Sequence, residues 1–163
     1  MDEPTFDLFY QNTARPLWAY IHRVSGDAAL ADDILQESYY RFLRASLAGM
    51  NEAQMKSYLY KIATNLLNDH WRNKKREHQQ ILEVNYETAT TEYAAQSHDM
   101  AHAFEQLNTQ QRSLLWLAYV EGNEHSEIAQ ILGLREKSIR VLLFRARHKL
   151  ADILKQKDFS LKE

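Results

Sequence analysis

Three groups of side chains in this sequence have types and spacings that could do chemistry. The first is acidic. Asp32, Asp33 and Glu37 fall on a helix expected over residues 28–45, with Asp33 and Glu37 one turn apart on the same face. A carboxylate pair at that spacing can hold a metal ion or move a proton. Neither use suits its neighbours. No histidine lies close enough in sequence to complete a ligand set, and Glu37 stands four residues before Arg41, a favourable helical ion pair. The group therefore reads as a solvated or protein-docking face. A helical hydrolase using Asp33, Glu37 and a histidine such as His70 is the remaining catalytic alternative. The expectation is that the chain is no enzyme, binds no metal or cofactor and has no small-molecule substrate.

The second group is basic and aromatic. Lys61, Asn65, Asp69, Arg72 and Arg76 step along one face of a helix expected from residue 54 to about 78, with Leu59, Ile62, Ala63 and Leu66 as its buried stripe. Tyr58, Tyr60 and Trp71 are interleaved with the cations. Such a helix suits a nucleic-acid backbone together with unstacked bases. It equally suits a plain helix whose aromatics are core and whose cluster Arg72, Lys74, Lys75 and Arg76 favours the helix C-terminus.

The third group lies within residues 124–150, EHSEIAQILGLREKSIRVLLFRARHKL. Ile128, Ala129, Ile131 and Leu132 form a stripe on a short helix that stops at Gly133. A second helix from about residue 136 repeats Ile139, Leu143, Ala146 and Leu150 on one face, with Arg140, Arg145, Arg147, His148 and Lys149 largely off it. A short helix, a glycine turn and a basic helix describe a helix-turn-helix, whose second helix lies in the DNA major groove. An ordinary helical hairpin with a solvated basic face is the plain alternative.

These groups need helices to position them. Residues 5–24 read as an aromatic-rich helix with a break or bend at Pro16, where Asn12 or Thr13 could cap a fresh start. Ser25, Gly26 and Asp27 end it and cap the next helix, whose Leu30, Ile34, Tyr39 (or Ser38), Phe42 and Leu43 face inward. Residues 46–53 read as a loop and 101–107 as a short helix. Asn108 lies at a break, residues 110–120 form a helix with Leu114, Leu115, Leu117 and Ala118 inward, and a polar tail frays from 159. Two prolines and four glycines in 163 residues favour helices almost throughout. The expected fold is all-α, with small helical domains at 1–78 and 99–163 joined by a flexible linker at 79–98.

Charge is segregated although the net charge is only −2. Residues 58–80 carry five Lys/Arg against two Asp/Glu, residues 81–111 none against five, and residues 112–163 ten against seven. Two basic segments flank an acidic one, which suggests more than one partner. No run approaches a membrane span, the acidic start MDEPTFDLFY lacks signal-peptide character, and there is no cysteine. A cytoplasmic protein without disulfides is expected.

Taken in order, the motifs resemble the extracytoplasmic-function group of bacterial RNA polymerase sigma factors over nearly the whole chain. The family's acidic D-x-x-Q-E-like helix is matched by Asp32-Asp33-Ile34-Leu35-Gln36-Glu37, followed by Tyr39-Tyr40-Arg41-Phe42-Leu43. Its W-L-y-x-I-A-x-N block is matched by Tyr58-Leu59-Tyr60-Lys61-Ile62-Ala63-Thr64-Asn65, then Asp69 and Arg72. Leu107, Arg112 and Leu117 match a spaced L…R…L motif. Glu127 to Gly133 match E-I-A-x-x-L-G, and Arg145 to Leu150 match R-A-R-x-K-L. Tyr58 departs from the usual Trp, Arg135 from a capping Ser, and Val141 and Leu142 from polar DNA-facing residues.

The resemblance implies an alternative sigma factor that binds core RNA polymerase and directs promoter-specific initiation. The alternative is a helix-turn-helix regulator that does not engage polymerase. It assigns Asp32, Asp33, Gln36, Glu37 and Arg41 to the polymerase clamp helices, and Asn51, Lys61, Asn65, Arg72, Lys75 and Arg76 to the minus-ten element. Lys137, Ser138, Arg140, Phe144, Arg145, Arg147 and His148 go to the minus-thirty-five element. It further implies contact with the polymerase flap, a linker threading a positively lined channel, and an anti-sigma protein that would hold the chain inactive, at the inner face of the membrane if that protein is membrane-bound.

Overall fold

The computed structural model describes residues 1–80 and 99–161, with side chains described for 1–77 and 100–156. Among the described residues every regular element is helical: α1 (Glu3–Ser25), α2 (Ala28–Arg44), α3 (Glu52–Gln80), α4 (Asp99–Glu105), α5 (Thr109–Leu115), α6 (His125–Leu132) and α7 (Glu136–Leu161). One π-helical turn, Trp116–Val120, follows α5. Most of the expected linker, residues 81–98, lies outside the described residues.

The helix ends are set by local chemistry. Asp2 caps α1 by accepting from the Thr5 amide at 3.1 Å, and Asp27 caps α2 by accepting from Leu30 at 3.1 Å. Gly26 ends α1 with φ 72°, a left-handed conformation that lets its amide reach the His22 carbonyl. Asn108 and Gln111 form a reciprocal capping box at 2.8 and 3.1 Å. Of the break or bend expected at Pro16, the break does not occur, and α1 continues through it. Proline removes a single backbone donor, and tertiary burial on both sides outweighs that loss. Leu17 is fully enclosed, and Thr13, rather than capping, is buried and donates to the Phe9 carbonyl at 2.7 Å. That leaves the Tyr39 phenol to donate back to Thr13 at 2.6 Å.

The first three helices pack around Phe9, Leu17, Tyr20, Ile21, Phe42, Leu59, Ala63 and Leu67. Leu67 takes the buried place expected of Leu66, which is half-buried, and Leu43 is exposed rather than inward. In the second half Leu107, Leu114, Leu117, Ile128, Ile139, Leu143 and Ala146 are buried together. The two halves are in contact: α1 packs on α5, and α3 packs on α6.

Two polar clusters join them. The Arg112 guanidinium donates to the Val24 carbonyl at 2.8 Å, at the end of α1, and to the Phe104 carbonyl at 3.2 Å and that of Glu105. Glu121 is half of the second. The π turn closes with the Glu121 amide on the Trp116 carbonyl at 3.1 Å. The Glu121 side chain, only 9% exposed, accepts from the Tyr60 phenol at 2.5 Å and meets Lys56 at 3.4 Å.

Candidate nucleic-acid and partner interfaces

The acidic group occupies the outer face of α2. Ala31, Ile34, Ser38 and Phe42 turn into the core, so Asp32, Asp33, Gln36 and Arg41 are left exposed and Glu37 half-buried. Glu37 and Arg41 pair at 2.7 Å. The Trp18 indole donates to Asp32 at 2.7 Å, which fixes that carboxylate against α1. Tyr40 is exposed beside them, with the Arg44 guanidinium 5.4 Å from its ring centroid and donating to its hydroxyl at 3.0 Å. Among the described residues no three His, Asp or Glu side chains gather closely enough to hold a metal ion. This surface presents charge and exposed aromatic area side by side.

On α3, Lys61, Asn65, Arg72, Lys75 and Arg76 are all exposed. Arg72 lies 3.9 Å from Asp69, a loose surface pair that leaves the guanidinium available. The Lys74 ammonium sits 5.5 Å from the Trp71 ring centroid. The aromatics divide in a way the spacing left open. Tyr60 is a core residue, 1% exposed, with its phenol held well above the ordinary range by burial and by its hydrogen bond to Glu121. Tyr58 is half-buried and packs on Phe42, their ring centroids 6.4 Å apart.

Asn51 has a structural task. Its side chain accepts from the Gln54 amide at 2.8 Å while Gln54 accepts from the Asn51 amide at 3.0 Å, a capping box that starts α3. Gly49, with φ 81°, bends the loop in front of it. A hollow lies between loop and helix, lined by Gly49, Met50, Tyr58 and Lys61, and Gln130 of α6 closes its far side.

The helix-turn-helix turns at Gly133, φ 67°, whose amide caps α6 on the Ala129 carbonyl. Lys137, Arg140, Phe144, Arg145, Arg147 and His148 are exposed on α7, and Ser138 is half-buried. Arg147 donates to the Tyr119 hydroxyl, away from the central face. The Phe144 and His148 rings lie 4.2 Å apart. His125, Arg135, Lys137 and Arg140 line an open, largely cationic hollow at the start of α7. Leu142 is half-buried and packs against the core, whereas Val141 is 48% exposed.

The groups that bind the halves together were not singled out from the sequence. Glu121 and Tyr60 carry no local signal of their distant pairing. Arg112 had one, its place between Leu107 and Leu117, and its role is now visible: burial lowers its pKa, opposed by the nearby charge of Glu105, while its donors serve carbonyls at the ends of two helices.

Family comparison matches residues 9–77 to "Sigma-70 region 2" and residues 97–150 to "Sigma-70, region 4". ECF RNA polymerase sigma factor SigE of Mycolicibacterium smegmatis is 26% identical over 160 residues, 93% of this chain and 62% of that protein. SigM of Bacillus subtilis is 24% identical over 152 residues, 90% of this chain and 93% of the relative. The chain belongs to the ECF sigma factors. The SigE relative is longer than the stretch matched, whereas SigM is matched almost end to end. A sigma factor RpoE from Bartonella quintana, solved with the anti-sigma factor NepR, superposes with a TM-score of 0.76. At 23% identity and coverage of 94% of this chain and 98% of the other, that likeness establishes the sigma-factor fold. The two matched regions contain, in order, the α2 and α3 surfaces and the helix-turn-helix.

Proposed function

We propose that this ECF sigma factor is the promoter-specificity subunit of a bacterial RNA polymerase and works in the cytoplasm. Among the described residues no helix is long and apolar enough to cross a membrane. The observation that carries the reading is the outer face of α2, where Asp32, Asp33, Gln36, Glu37 and Arg41 form a charged surface open to solvent. A regulator that only gripped DNA through α6 and α7 would have no need of it. This face docks on the clamp helices of core polymerase, and the second domain meets the flap.

Lys61, Asn65, Arg72, Lys75 and Arg76, with the 46–53 stretch and its Asn51, take the minus-ten strand. Bases lifted from the duplex stack on aromatics and bond to amides, while the cations hold phosphates. Lys137, Ser138, Arg140, Phe144, Arg145, Arg147 and His148 take the minus-thirty-five duplex. Domains at 1–78 and 99–163 carry the two tasks, joined by the acidic linker.

The packed arrangement sets a mechanical condition. Elements named minus ten and minus thirty-five lie about 25 base pairs apart, ~85 Å at ~3.4 Å per pair. A compact chain of this length has a radius of gyration of about 15 Å. One closed body therefore cannot read both, and the Tyr60–Glu121 and Arg112–Val24 contacts separate when the sigma factor engages polymerase and promoter. An anti-sigma protein that covers α2 or clamps the halves together would keep it inactive.

The test is capture of core polymerase by the purified chain, with Asp33→Lys/Glu37→Lys as the perturbed form. Binding should fall at least about ten-fold, since two charge reversals make the contact repulsive. Capture unaffected by the double variant, with the fold intact by circular dichroism, would refute the polymerase-binding role and leave a plain DNA-binding regulator.

A further inference from the structure

The recognition helix α7 has an unexpected centre. At about 100° per residue its buried positions Ile139, Leu143, Ala146 and Ile153 define one side. On the opposite side Lys137, Val141, Phe144 and His148 fall within about 40° of the midline, and Arg140 and Arg145 flank them on either side at about 75° and 65°. The face aimed away from the core thus holds a short apolar strip, Val141 and Phe144, between Lys137 and His148, with an arginine on either rim. Val141 is 48% and Phe144 53% exposed, while neighbouring Leu142 is turned into the core. Packing explains Leu142 and leaves Val141 and Phe144 unexplained. Phe144 is held in place by the His148 ring, 4.2 Å away.

A branched aliphatic and an aromatic ring cannot accept or donate the hydrogen bonds that distinguish guanine, cytosine and adenine in the major groove. The one apolar group that a base pair presents there is the C5-methyl of thymine. The rim arginines require a polyanion on both sides of the strip, and a groove walled by two phosphate backbones supplies it.

We propose that Val141, with Phe144, is a specificity determinant of the minus-thirty-five interaction, reading thymine methyl groups in the floor of the major groove. This rests on the sigma-factor reading above and adds what the element must contain: thymines, on either strand, at the positions under Val141 and Phe144. Arg140 and Arg145 fix the register at the rims. The contribution is sequence-selective without a hydrogen bond.

The experiment uses holoenzyme assembled from core polymerase and the full chain. A minus-thirty-five element is first selected from a randomised promoter library by run-off transcription. Each thymine of that element is then replaced singly by deoxyuridine, which removes the methyl and leaves every hydrogen-bonding group in place. One or two replacements should lower promoter affinity about four-fold each, the effect of exposing one methyl-sized group. Val141→Ala should bind the thymine and deoxyuridine promoters alike at one of those positions, and Phe144→Ala at the other. Val141 is on the surface, so its variant should melt as the parent does. Failure of holoenzyme to initiate at all would refute the sigma-factor reading itself. Initiation from a selected element without thymine, a deoxyuridine scan without effect, or a penalty that persists in both alanine variants would overturn the methyl-reading role alone.

Discussion

Replacing Arg112 by methionine should unlock both ends of a joint while keeping the aliphatic stem. The guanidinium donates to the Val24 carbonyl at 2.8 Å and the Phe104 carbonyl at 3.2 Å, and more superficially to Glu105. Each hydrogen bond to a charged group contributes about 1.5–3 kcal/mol when its partner is left without a replacement. Arg112 is half-buried, so water recovers part of that loss, and the Glu105 carbonyl is readily rehydrated. The net cost should be roughly 2–4 kcal/mol, or about 5–15 °C in melting temperature for a chain of this length. Thermal melts by calorimetry and circular dichroism would measure it, with urea unfolding as the check. Arg112→Lys keeps the charge but has no fork to reach two carbonyls, so it should fall between the two. A methionine variant that melts within about 2 °C of the parent would show that Arg112 does not hold the helix ends together.

Three other outcomes are expected. The phenols of Tyr20, Tyr39 and Tyr60 are all raised above their ordinary 10.0, chiefly by burial, with Tyr39 pushed up to about 12. In the unfolded chain they ionise near 10, so their contribution is complete below that pH and is lost as pH rises past it; melting temperature should decline above about pH 10, with a gentler slope in Tyr39→Phe. A profile flat to about pH 11.5 would contradict this. Gly133→Ala places a Cβ at φ 67° with nothing within 4 Å of it, so only backbone strain acts, roughly 1–2 kcal/mol by chemical denaturation; no change would mean that the turn relaxes freely. Arg145→Ala should weaken holoenzyme binding to double-stranded minus-thirty-five elements about equally whatever their sequence, and reduce the salt slope of binding by about 1, as the loss of one phosphate contact does. An unchanged affinity in a titration at fixed salt would remove Arg145 from the interface.

Much of this protein could be read without its structure because its signals are local. Gly26 and Gly133 stop helices wherever they stand, Asp27 and Asn108 accept from amides three residues on, and the stripe Ile139, Leu143, Ala146 needs only the helical repeat to define an inner face. The outward direction of Asp32, Asp33 and Gln36 follows from the same repeat on α2. Misreadings arose where local chemistry met a competing tertiary force. Pro16 signals a break, but the enclosure of Thr13 and Leu17 keeps α1 whole. Tyr60, which its spacing left open between core and surface, is buried, and its phenol meets Glu121 61 residues on.

Residue order alone was therefore enough for the helices, the caps at Asp27 and Asn108, the charged faces of α2, α3 and α7, and the family resemblance. Periodicity and capping act within one or two turns, and charge needs no partner to be counted. Packing between distant segments settles which aromatics are core, that Arg112 serves carbonyls from both halves, and that Leu142 turns inward while Val141 faces out. Those outcomes depend on surfaces that meet across the fold, and no window of neighbouring residues contains both sides of such a contact.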